Sequence, residues 1–272
     1  MIGVVLFIDS HAHLFLEEFD SDREQVIVNA QKAGVGVIVN AGIDAGSSRE
    51  AVRLSGLFHG LFATAGIHPQ SAASADKNAV EQIAELADNS AIVAIGEIGL
   101  DYYRGEEQKD TQLKTFEEML DIARLKCLPV VLHCRAAEQD MLAVVEKWTR
   151  NTLPARGRWH GIRHCFGEDL ETALRYIDMG FMLSFGAYIG YPSSKKLLSV
   201  LAQLPPDSFL LETDCPYLPP QKIRGKRNDP SYLPITAEII AGIRETTTLE
   251  IARQTTTNAR AIFDLSDTPG TD

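Results

Sequence analysis

The sequence predicts an α/β protein with the architecture of a (β/α)8 TIM barrel. Eight short apolar segments alternate with amphipathic segments over almost the whole chain. Near-continuous apolar runs of this length are typical of parallel strands that are buried on both faces. The length of 272 residues also suits a barrel, which needs about 250 residues. A doubly wound open sheet is the alternative, but no Gly-x-Gly-x-x-Gly phosphate-binding turn supports it.

The eight strands are each defined by one apolar run that ends in polar or turn-forming residues. They are expected at residues 4–8, 35–39, 61–65, 91–95, 130–132, 161–163, 181–185 and 209–211. The fourth run continues into Gly96-Glu97-Ile98-Gly99-Leu100-Asp101, where glycines and acids interrupt the apolar pattern. We therefore expect that strand to end near residue 95.

Helices are predicted between the strands from amphipathic spacing, capping residues and stop signals. A capping box, Ser21-x-x-Glu24, predicts the start of the first helix, which Gly34 ends. A second box, Thr247-x-x-Glu250, opens the last helix. The helices are expected at residues 21–33, 47–57, 75–87, 108–126, 141–148, 168–179, 195–204, 235–243 and 248–263.

No linker or composition shift divides the chain. We expect residues 1–265 to form a single TIM-barrel domain and residues 266–272 to be a polar, disordered tail. The apolar N-terminus lacks a basic region and a cleavage site, so we interpret it as a strand and not as a signal peptide. No apolar stretch has the length that a membrane span requires. The sequence leaves the oligomeric state open.

Charge and cysteine content restrict the class of protein further. The net charge of −11 disfavours binding of long nucleic acid duplexes through the overall electrostatic field, although a local basic patch can still hold phosphates. The four cysteines form no Cys-x-x-Cys pair. This pattern favours a reducing, cytoplasmic location.

Polar residues with metal-binding side chains follow several strands. His11 and His13 stand two residues apart at the end of the first strand, so their imidazoles can point to the same face. In a barrel of this type the chemistry lies at the carboxyl ends of the strands, and we expect such side chains to converge there. The full set is His11, His13, His68, Glu97, His133, His164 and Asp214.

These residues predict a centre with two divalent metal ions. Four histidines and two carboxylates exceed the ligand set of one tetrahedral zinc ion. Glu97, on a middle strand, is expected to bridge the two ions, and Asp214 to hold one ion and accept the proton of an attacking water. Such a set accepts Mg²⁺, Mn²⁺ or Zn²⁺. His68 is left outside the ligand set as an expected substrate contact.

Several neighbouring residues have roles that the sequence leaves open. Asp101 either orients a metal ligand or caps the next segment, and Asp9 shares the strand face of His11. Three cysteines directly follow proposed ligands and are interpreted as core residues, since neighbouring side chains on a strand face opposite sides. They are Cys134, Cys165 and Cys215.

Seven motifs carry these residues in order along the chain. They are Asp9-Ser10-His11-Ala12-His13, Gly66-Ile67-His68-Pro69, Gly96-Glu97-Ile98-Gly99-Leu100-Asp101-Tyr102, Leu128-Pro129-Val130-Val131-Leu132-His133, His164-Cys165-Phe166, Glu212-Thr213-Asp214-Cys215-Pro216-Tyr217-Leu218 and Arg224-Gly225-Lys226-Arg227-Asn228. Together they resemble the TatD family of metal-dependent deoxyribonucleases, whose barrels are of the metallo-dependent hydrolase type. The resemblance implies exonucleolytic, Mg²⁺- or Mn²⁺-dependent hydrolysis of DNA. It also implies that His11, His13, Glu97, His133, His164 and Asp214 bind the metals.

Two departures from the family pattern affect the expected substrate contacts. The family continues His-Cys-Phe with Ser-Gly, whereas this chain has Gly167-Glu168, and Arg135 is followed by Ala136-Ala137 where Asp-Ala is usual. Cations near the metals are still available for a phosphodiester. They are Arg104, Arg135, Arg224, Lys226 and Arg227. With the acidic net charge, they favour a single-stranded end or a short oligonucleotide as the DNA substrate.

Two other functions remain compatible with the sequence. The same ligand set suits an amide or ester hydrolase, such as an aminoacyl-RNA deacylase, although the basic loop favours a nuclease. A non-catalytic binding protein is the third possibility, which the complete ligand set disfavours.

Overall fold

The computed structural model describes residues 7–265. The predicted polar tail at residues 266–272 and the first part of the predicted strand at residues 4–8 lie outside the described residues. Within the described part of the chain, the eight predicted strands are all present, and their bounds are β1 Phe7–Ala12, β2 Val35–Ala41, β3 Leu61–Ala65, β4 Ile92–Asp101, β5 Val130–Arg135, β6 Gly161–Arg163, β7 Phe181–Phe185 and β8 Phe209–Leu211.

The strands follow chain order in one eight-stranded sheet. The pairs β1–β2, β3–β4, β4–β5, β5–β6 and β7–β8 are parallel. Four residues after the end of β8, Cys215 forms a parallel bridge with Ala12 at the end of β1, so the chain after the last strand returns to the first. This order confirms the predicted (β/α)8 barrel and excludes the open doubly wound sheet.

Ten helices accompany the strands in the described residues. Their bounds are α1 Arg23–Lys32, α2 Ala45–Leu57, α3 Lys77–Leu86, α4 Tyr102–Gly105, α5 Lys109–Lys126, α6 Glu138–Thr149, α7 Leu170–Asp178, α8 Lys195–Gln203, α9 Leu233–Ile243 and α10 Thr248–Phe263. The short helix α4 is absent from the sequence prediction; the other nine helices agree with it to within a few residues.

The chain divides into two compact units. The first contains β1, β8 and most of β2 and β7, and it comprises the chain up to Asn40, Cys165–Ile177 and the chain from Met182. The second contains β3 to β6 and comprises Ala41–His164 and Asp178–Phe181. Each unit buries its strands, since β1 and β4 are buried along their whole length. The single domain expected over residues 1–265 stays a prediction.

One of the two predicted capping boxes is wrong. Helix α1 begins at Arg23 with Asp22 as its N-cap residue, and no side chain caps it. The Asp22 carboxylate instead accepts two hydrogen bonds from Arg227, at 2.8 and 2.6 Å. At the last helix the predicted N-cap is confirmed, because Thr247 Oγ1 accepts a hydrogen bond from the backbone N–H of Glu250.

The residue after β5 has a backbone conformation that its side chain disfavours. Ala136 is exposed and has a φ of 54°. A left-handed conformation costs a non-glycine residue about 1 kcal/mol. We therefore expect Ala136→Gly to raise the free energy of unfolding by about 0.5–1 kcal/mol in a urea titration.

A matched control is Ala143→Gly, at an exposed position inside helix α6. Glycine in a helix interior should lower the free energy of unfolding by about 1 kcal/mol. A lower stability of the Ala136→Gly variant relative to the wild type would contradict the assignment of strain to this position.

Candidate metal centre

In the first unit, β1 and the segment after β8 bring three predicted ligands together. His11 lies in β1, His13 follows it directly, and Asp214 lies three residues beyond β8. The backbone fixes their positions, because the N–H of Asp214 donates to the carbonyl of His11 and the N–H of His13 donates to the carbonyl of Cys215. Asp214 has a φ of 55°, a conformation that aspartate tolerates better than most residues.

The side chains of this first cluster meet at their polar atoms. The Nε2 atoms of His11 and His13 are 3.2 Å apart. Asp214 Oδ1 lies 3.8 Å from His11 Nε2 and 3.4 Å from His13 Nε2. Both histidines are buried, with exposed fractions of 1% and 4%. Two imidazoles and one carboxylate therefore lie within 3.8 Å of each other.

Asp9 supports this cluster through hydrogen bonds to His11 and Thr213. Its carboxylate accepts hydrogen bonds from the backbone N–H of His11 at 3.3 Å and from the N–H and the hydroxyl of Thr213 at 2.9 and 2.5 Å. Burial raises the pKa of Asp9 to about 7, against the hydrogen bonds from Thr213 and His11, which lower it. Asp9 thus joins the end of β1 to the residue before Asp214.

Two residues that sequence reasoning missed hold the chain on either side of Asp214. Glu212 accepts hydrogen bonds from the backbone N–H of Cys165 and from the hydroxyl of Ser184. The buried Asn228 donates its side-chain N–H groups to the carbonyls of Thr213, at 2.9 Å, and of Tyr217. Their positions inside the Glu-Thr-Asp and Arg-Gly-Lys-Arg-Asn motifs were the only signal available.

In the second unit, three further predicted ligands lie together, and two imidazoles approach the carboxylate oxygen of the third. Glu97 lies inside β4, His133 lies in β5, and His164 follows β6 directly. Glu97 Oε1 lies 2.6 Å from His133 Nδ1 and 2.8 Å from His164 Nε2. The two imidazole nitrogens are 3.3 Å apart. Glu97 is buried, with an exposed fraction of 3%.

His68, expected to contact substrate, lies against this second cluster. Its Nε2 atom is 3.6 Å from Glu97 Oε1, and its ring centroid is 4.4 Å from that of His133. Its other nitrogen, Nδ1, accepts a hydrogen bond from the backbone N–H of Gln70. His68, Glu97 and His133 each offer an atom within 4.8 Å of the others, so His68 is also a candidate ligand.

Asp101 caps the next segment, one of the two roles that the sequence left open, and it also lies close to His133. Its Oδ1 atom caps helix α4 by accepting from the backbone N–H of Arg104. Its Oδ2 atom lies 3.6 Å from His133 Nε2 and accepts a hydrogen bond from Gln70. Burial alone would raise the pKa of Asp101, but the nearby His133 imidazole and the hydrogen bond from Gln70 outweigh it and hold the pKa below the usual value. Asp101 therefore lies where its carboxylate can interact with the His133 ring.

The backbone at the end of β4 depends on a glycine within the strand and on a buried glutamine of helix α5. A side chain at Gly99 would collide with the backbone carbonyl of His133, its partner on β5. The buried Gln112 of helix α5 accepts from the N–H of Asp101 and donates to the carbonyls of Asp101 and Gly105. After Glu212 and Asn228, Gln112 is a third supporting residue that the sequence did not reveal.

The donor atoms of both clusters fit divalent metal ions. Imidazole nitrogens and carboxylate oxygens are the ligands that Zn²⁺ and Mn²⁺ accept, while Mg²⁺ prefers the oxygens. In the second cluster two nitrogen atoms and one oxygen atom lie within 3.3 Å of each other in a buried site. Lone pairs at such distances require a shared proton or cation between them. Each cluster can therefore hold a cation.

The five predicted phosphate contacts differ in their surroundings. Arg227 is committed to protein contacts, because it pairs with Asp22 at 2.6 Å and lies over the ring of Phe19. Arg224 lies over Tyr191 with 4.8 Å to the ring centroid, and Arg135 lies over Tyr103 at 3.9 Å. The side chains that are exposed to solvent are Arg104, Arg135, Arg224 and Lys226.

Among the tyrosines near the ligands, Tyr103 is the most exposed. Its exposed fraction is 67%, and that of Tyr217 is 51%. Tyr102 instead donates a hydrogen bond from its hydroxyl to Asp140 at 2.9 Å, and Lys109 lies over its ring. Tyr103 and Tyr217 therefore have exposed ring surface, whereas Tyr102 is held by its neighbours.

The cysteines beside the ligands are only partly as expected. Cys134 and Cys215 are buried, and burial raises the pKa of the Cys134 thiol to about 12. Cys165 is half-buried, so its interpretation as a core residue is wrong. The chain turns there into a left-handed conformation with a φ of 48°, which interrupts the strand alternation on which that interpretation depended.

Between residues 7 and 265, no helix combines the length and apolar character that crossing a membrane requires.

Comparison with known proteins identifies relatives that match almost the whole chain. The family model described as TatD related DNase matches residues 8–264. The uncharacterized metal-dependent hydrolase YabD of Bacillus subtilis (strain 168) is 36% identical over 261 residues, which cover 96% of this chain and 100% of the relative. The 3'-5' ssDNA/RNA exonuclease TatD of Pectobacterium carotovorum subsp. carotovorum (strain PC1) is 33% identical over 264 residues, covering 95% and 99%. Among solved structures, YJJV, a TatD homologue from Escherichia coli K12, superposes with a TM-score of 0.89 at 29% identity, covering 98% of this chain and 100% of that chain.

Proposed function

This chain belongs to the TatD related DNase family of metal-dependent hydrolases, and from that premise we propose that it removes nucleotides from single-stranded DNA by hydrolysing phosphodiester bonds. The proposal is supported by one observation: in both clusters, imidazole nitrogens lie close to a carboxylate oxygen, and these are atoms that bind divalent metal ions. The name of the Pectobacterium relative supports attack from the 3′ end.

The proposed cofactor is a pair of divalent ions, Mg²⁺, Mn²⁺ or Zn²⁺. His11, His13 and Asp214 would hold one ion, and Glu97, His133 and His164 the other, with Glu97 as the proposed bridge. When bound, such ions lower the pKa of coordinated water towards ~7 and neutralise charge on a phosphate. In the proposed site His68 contacts either the metals or the substrate.

The chain's own residues then have distinct tasks. Asp214 accepts the proton of the attacking water at its carboxylate, which is the acceptor in contact with both His11 and His13. Asp101 keeps the His133 ring in place through its Oδ2 atom. The task of Asp101 needs an ionised carboxylate, which is the state that its lowered pKa favours.

Substrate binding is proposed to depend on exposed cations and one exposed ring. Arg135 and Arg104 follow β5 and β4, and Arg224 and Lys226 follow β8, so a phosphate backbone can contact them. Tyr103, with Arg135 against it, offers a surface on which a base can stack. The net charge of −11 disfavours a long duplex and favours a single-stranded end. The free cysteines support a cytoplasmic location.

A substrate panel tests this function directly. Purified protein with Mg²⁺, Mn²⁺ or Zn²⁺ should shorten end-labelled single-stranded DNA stepwise and leave acyl and amide substrates, including aminoacyl-RNA, intact. Turnover confined to the acyl and amide substrates would assign the site to an amide or ester hydrolase. Metal binding without turnover of any substrate would indicate a binding protein.

A further inference from the structure

A backbone hydrogen bond from the N–H of His164 to the carbonyl of Leu132 marks the end of the pairing between β5 and β6, beside the second cluster. β6 has three residues, and its register with β5 ends at Leu132 and Arg163. β5 continues on its other side, where Cys134 pairs with Leu100 of β4. The backbone carbonyls of Cys134 and His164 therefore lie beyond the last paired residues of β5 and β6.

The side chain of Arg163 supplies donors to both of these carbonyls. Its Nη2 atom donates to the carbonyl of Cys134 at 2.8 Å, and its Nη1 atom donates to the carbonyl of His164. Nη2 also lies 3.8 Å from Glu138 Oε2 on helix α6. Arg163 has an exposed fraction of 2% and is the largest fully buried side chain among the described residues.

A buried guanidinium is costly unless its contacts compensate for the lost hydration. The two carbonyls and the carboxylate of Glu138 provide that compensation, and the planar guanidinium reaches both carbonyls at once. An aliphatic residue could fill the space but could not join them. The buried guanidinium therefore has one specific structural effect, which is to link the ends of β5 and β6.

On the basis of the metal centre proposed above, we propose that Arg163 is a positioning residue that sets the separation of His133 and His164 around Glu97. One of its carbonyl partners is the residue after His133, and the other is His164 itself. The two imidazole nitrogens lie 3.3 Å apart and both contact Glu97 Oε1. A shift of either strand end would separate them.

The chain offers a matched control for this arrangement in Arg244. This half-buried arginine donates to the carbonyls of Leu201 and Leu204, each at 2.9 Å. It makes the same type of contact within the first unit, and neither carbonyl belongs to a proposed ligand or to its neighbour. Arg163→Met and Arg244→Met therefore remove equivalent hydrogen bonds, but only the first affects residues beside the cluster.

The experiment compares Mn²⁺ binding to the metal-free full chain by equilibrium dialysis, with thermal unfolding of the same samples. We expect Arg163→Met to weaken the Kd of one Mn²⁺ equivalent about 10- to 100-fold, as loss of support behind metal ligands typically does. Arg244→Met should lower the Tm and leave both Kd values unchanged. Arg163→Lys should lie between the wild type and Arg163→Met, because it keeps a charged donor but cannot reach both carbonyls in the same geometry.

The outcomes separate this inference from the proposed function. If Arg163→Met and Arg163→Lys bind Mn²⁺ like the wild type, the positioning role is wrong while the metal centre stands. Equal weakening in Arg244→Met would also overturn it, because the effect would then follow general stability. If the wild type binds no metal, the proposed centre fails and the positioning role fails with it. Because binding is measured without DNA, absence of nuclease activity would not alter these results.

Discussion

Replacing Asp214 with asparagine is expected to lower kcat on single-stranded DNA by about 10²- to 10⁴-fold while the protein stays folded. The substitution removes the proposed proton acceptor and one negative charge next to His11 and His13. Asparagine keeps the size of the side chain and tolerates the left-handed backbone at this position, where φ is 55°. The kcat should therefore fall without a comparable loss of Tm.

The matching control for this variant is Asp121→Asn. Asp121 is an exposed aspartate on helix α5 that pairs with Arg124 at 3.1 Å, a surface ion pair of small energetic value. Its kcat and Tm should equal those of the wild type. A kcat near the wild-type value in Asp214→Asn would refute the role of Asp214 as the base.

Replacing Glu97 with alanine is expected to reduce bound metal from two equivalents to one or fewer. Glu97 Oε1 is the atom on which His133 and His164 converge, at 2.6 and 2.8 Å. Without this carboxylate the second cluster keeps only imidazoles and loses its negative charge, so its affinity for a divalent cation falls. Elemental analysis of the purified protein, after dialysis against buffer with a small excess of Mn²⁺, measures the stoichiometry.

For Glu97→Ala the control is Glu117→Ala, which removes a carboxylate from an exposed pair with Lys147 on the protein surface. This variant should keep both equivalents. Two full equivalents in Glu97→Ala would contradict the proposed bridge and would assign the ions to the remaining ligands.

The strands could be predicted from the sequence because buried parallel strands are continuous apolar runs. β3, β6, β7 and β8 have the expected bounds. β4 was predicted too short, since the apolar run ends near Ile95 while the strand continues to Asp101. It continues because β5 pairs with it through Gly99 and Asp101, a long-range contact that a local pattern does not contain.

The positions of the proposed ligands follow from a related rule: in a TIM barrel the functional side chains lie at the carboxyl ends of the strands. The residues that support the proposed ligands could not be predicted, because their contacts join distant parts of the chain. Glu212 bonds to Cys165, 47 residues away, and Arg227 bonds to Asp22, 205 residues away. Arg227 is an example of a contact that the sequence pattern does not reveal. Its place in a basic run indicated a phosphate contact, whereas its guanidinium is paired with the carboxylate of Asp22.

The most direct single measurement adds Mn²⁺ stepwise to the metal-free protein and follows nucleotide release from a 5′-labelled single-stranded oligonucleotide. Hydrolysis should be absent without metal and should reach its full rate when two equivalents per chain are bound. Full hydrolysis in the metal-free protein, or two bound equivalents with no cleavage of the oligonucleotide, would contradict a metal-dependent nuclease built on these two clusters.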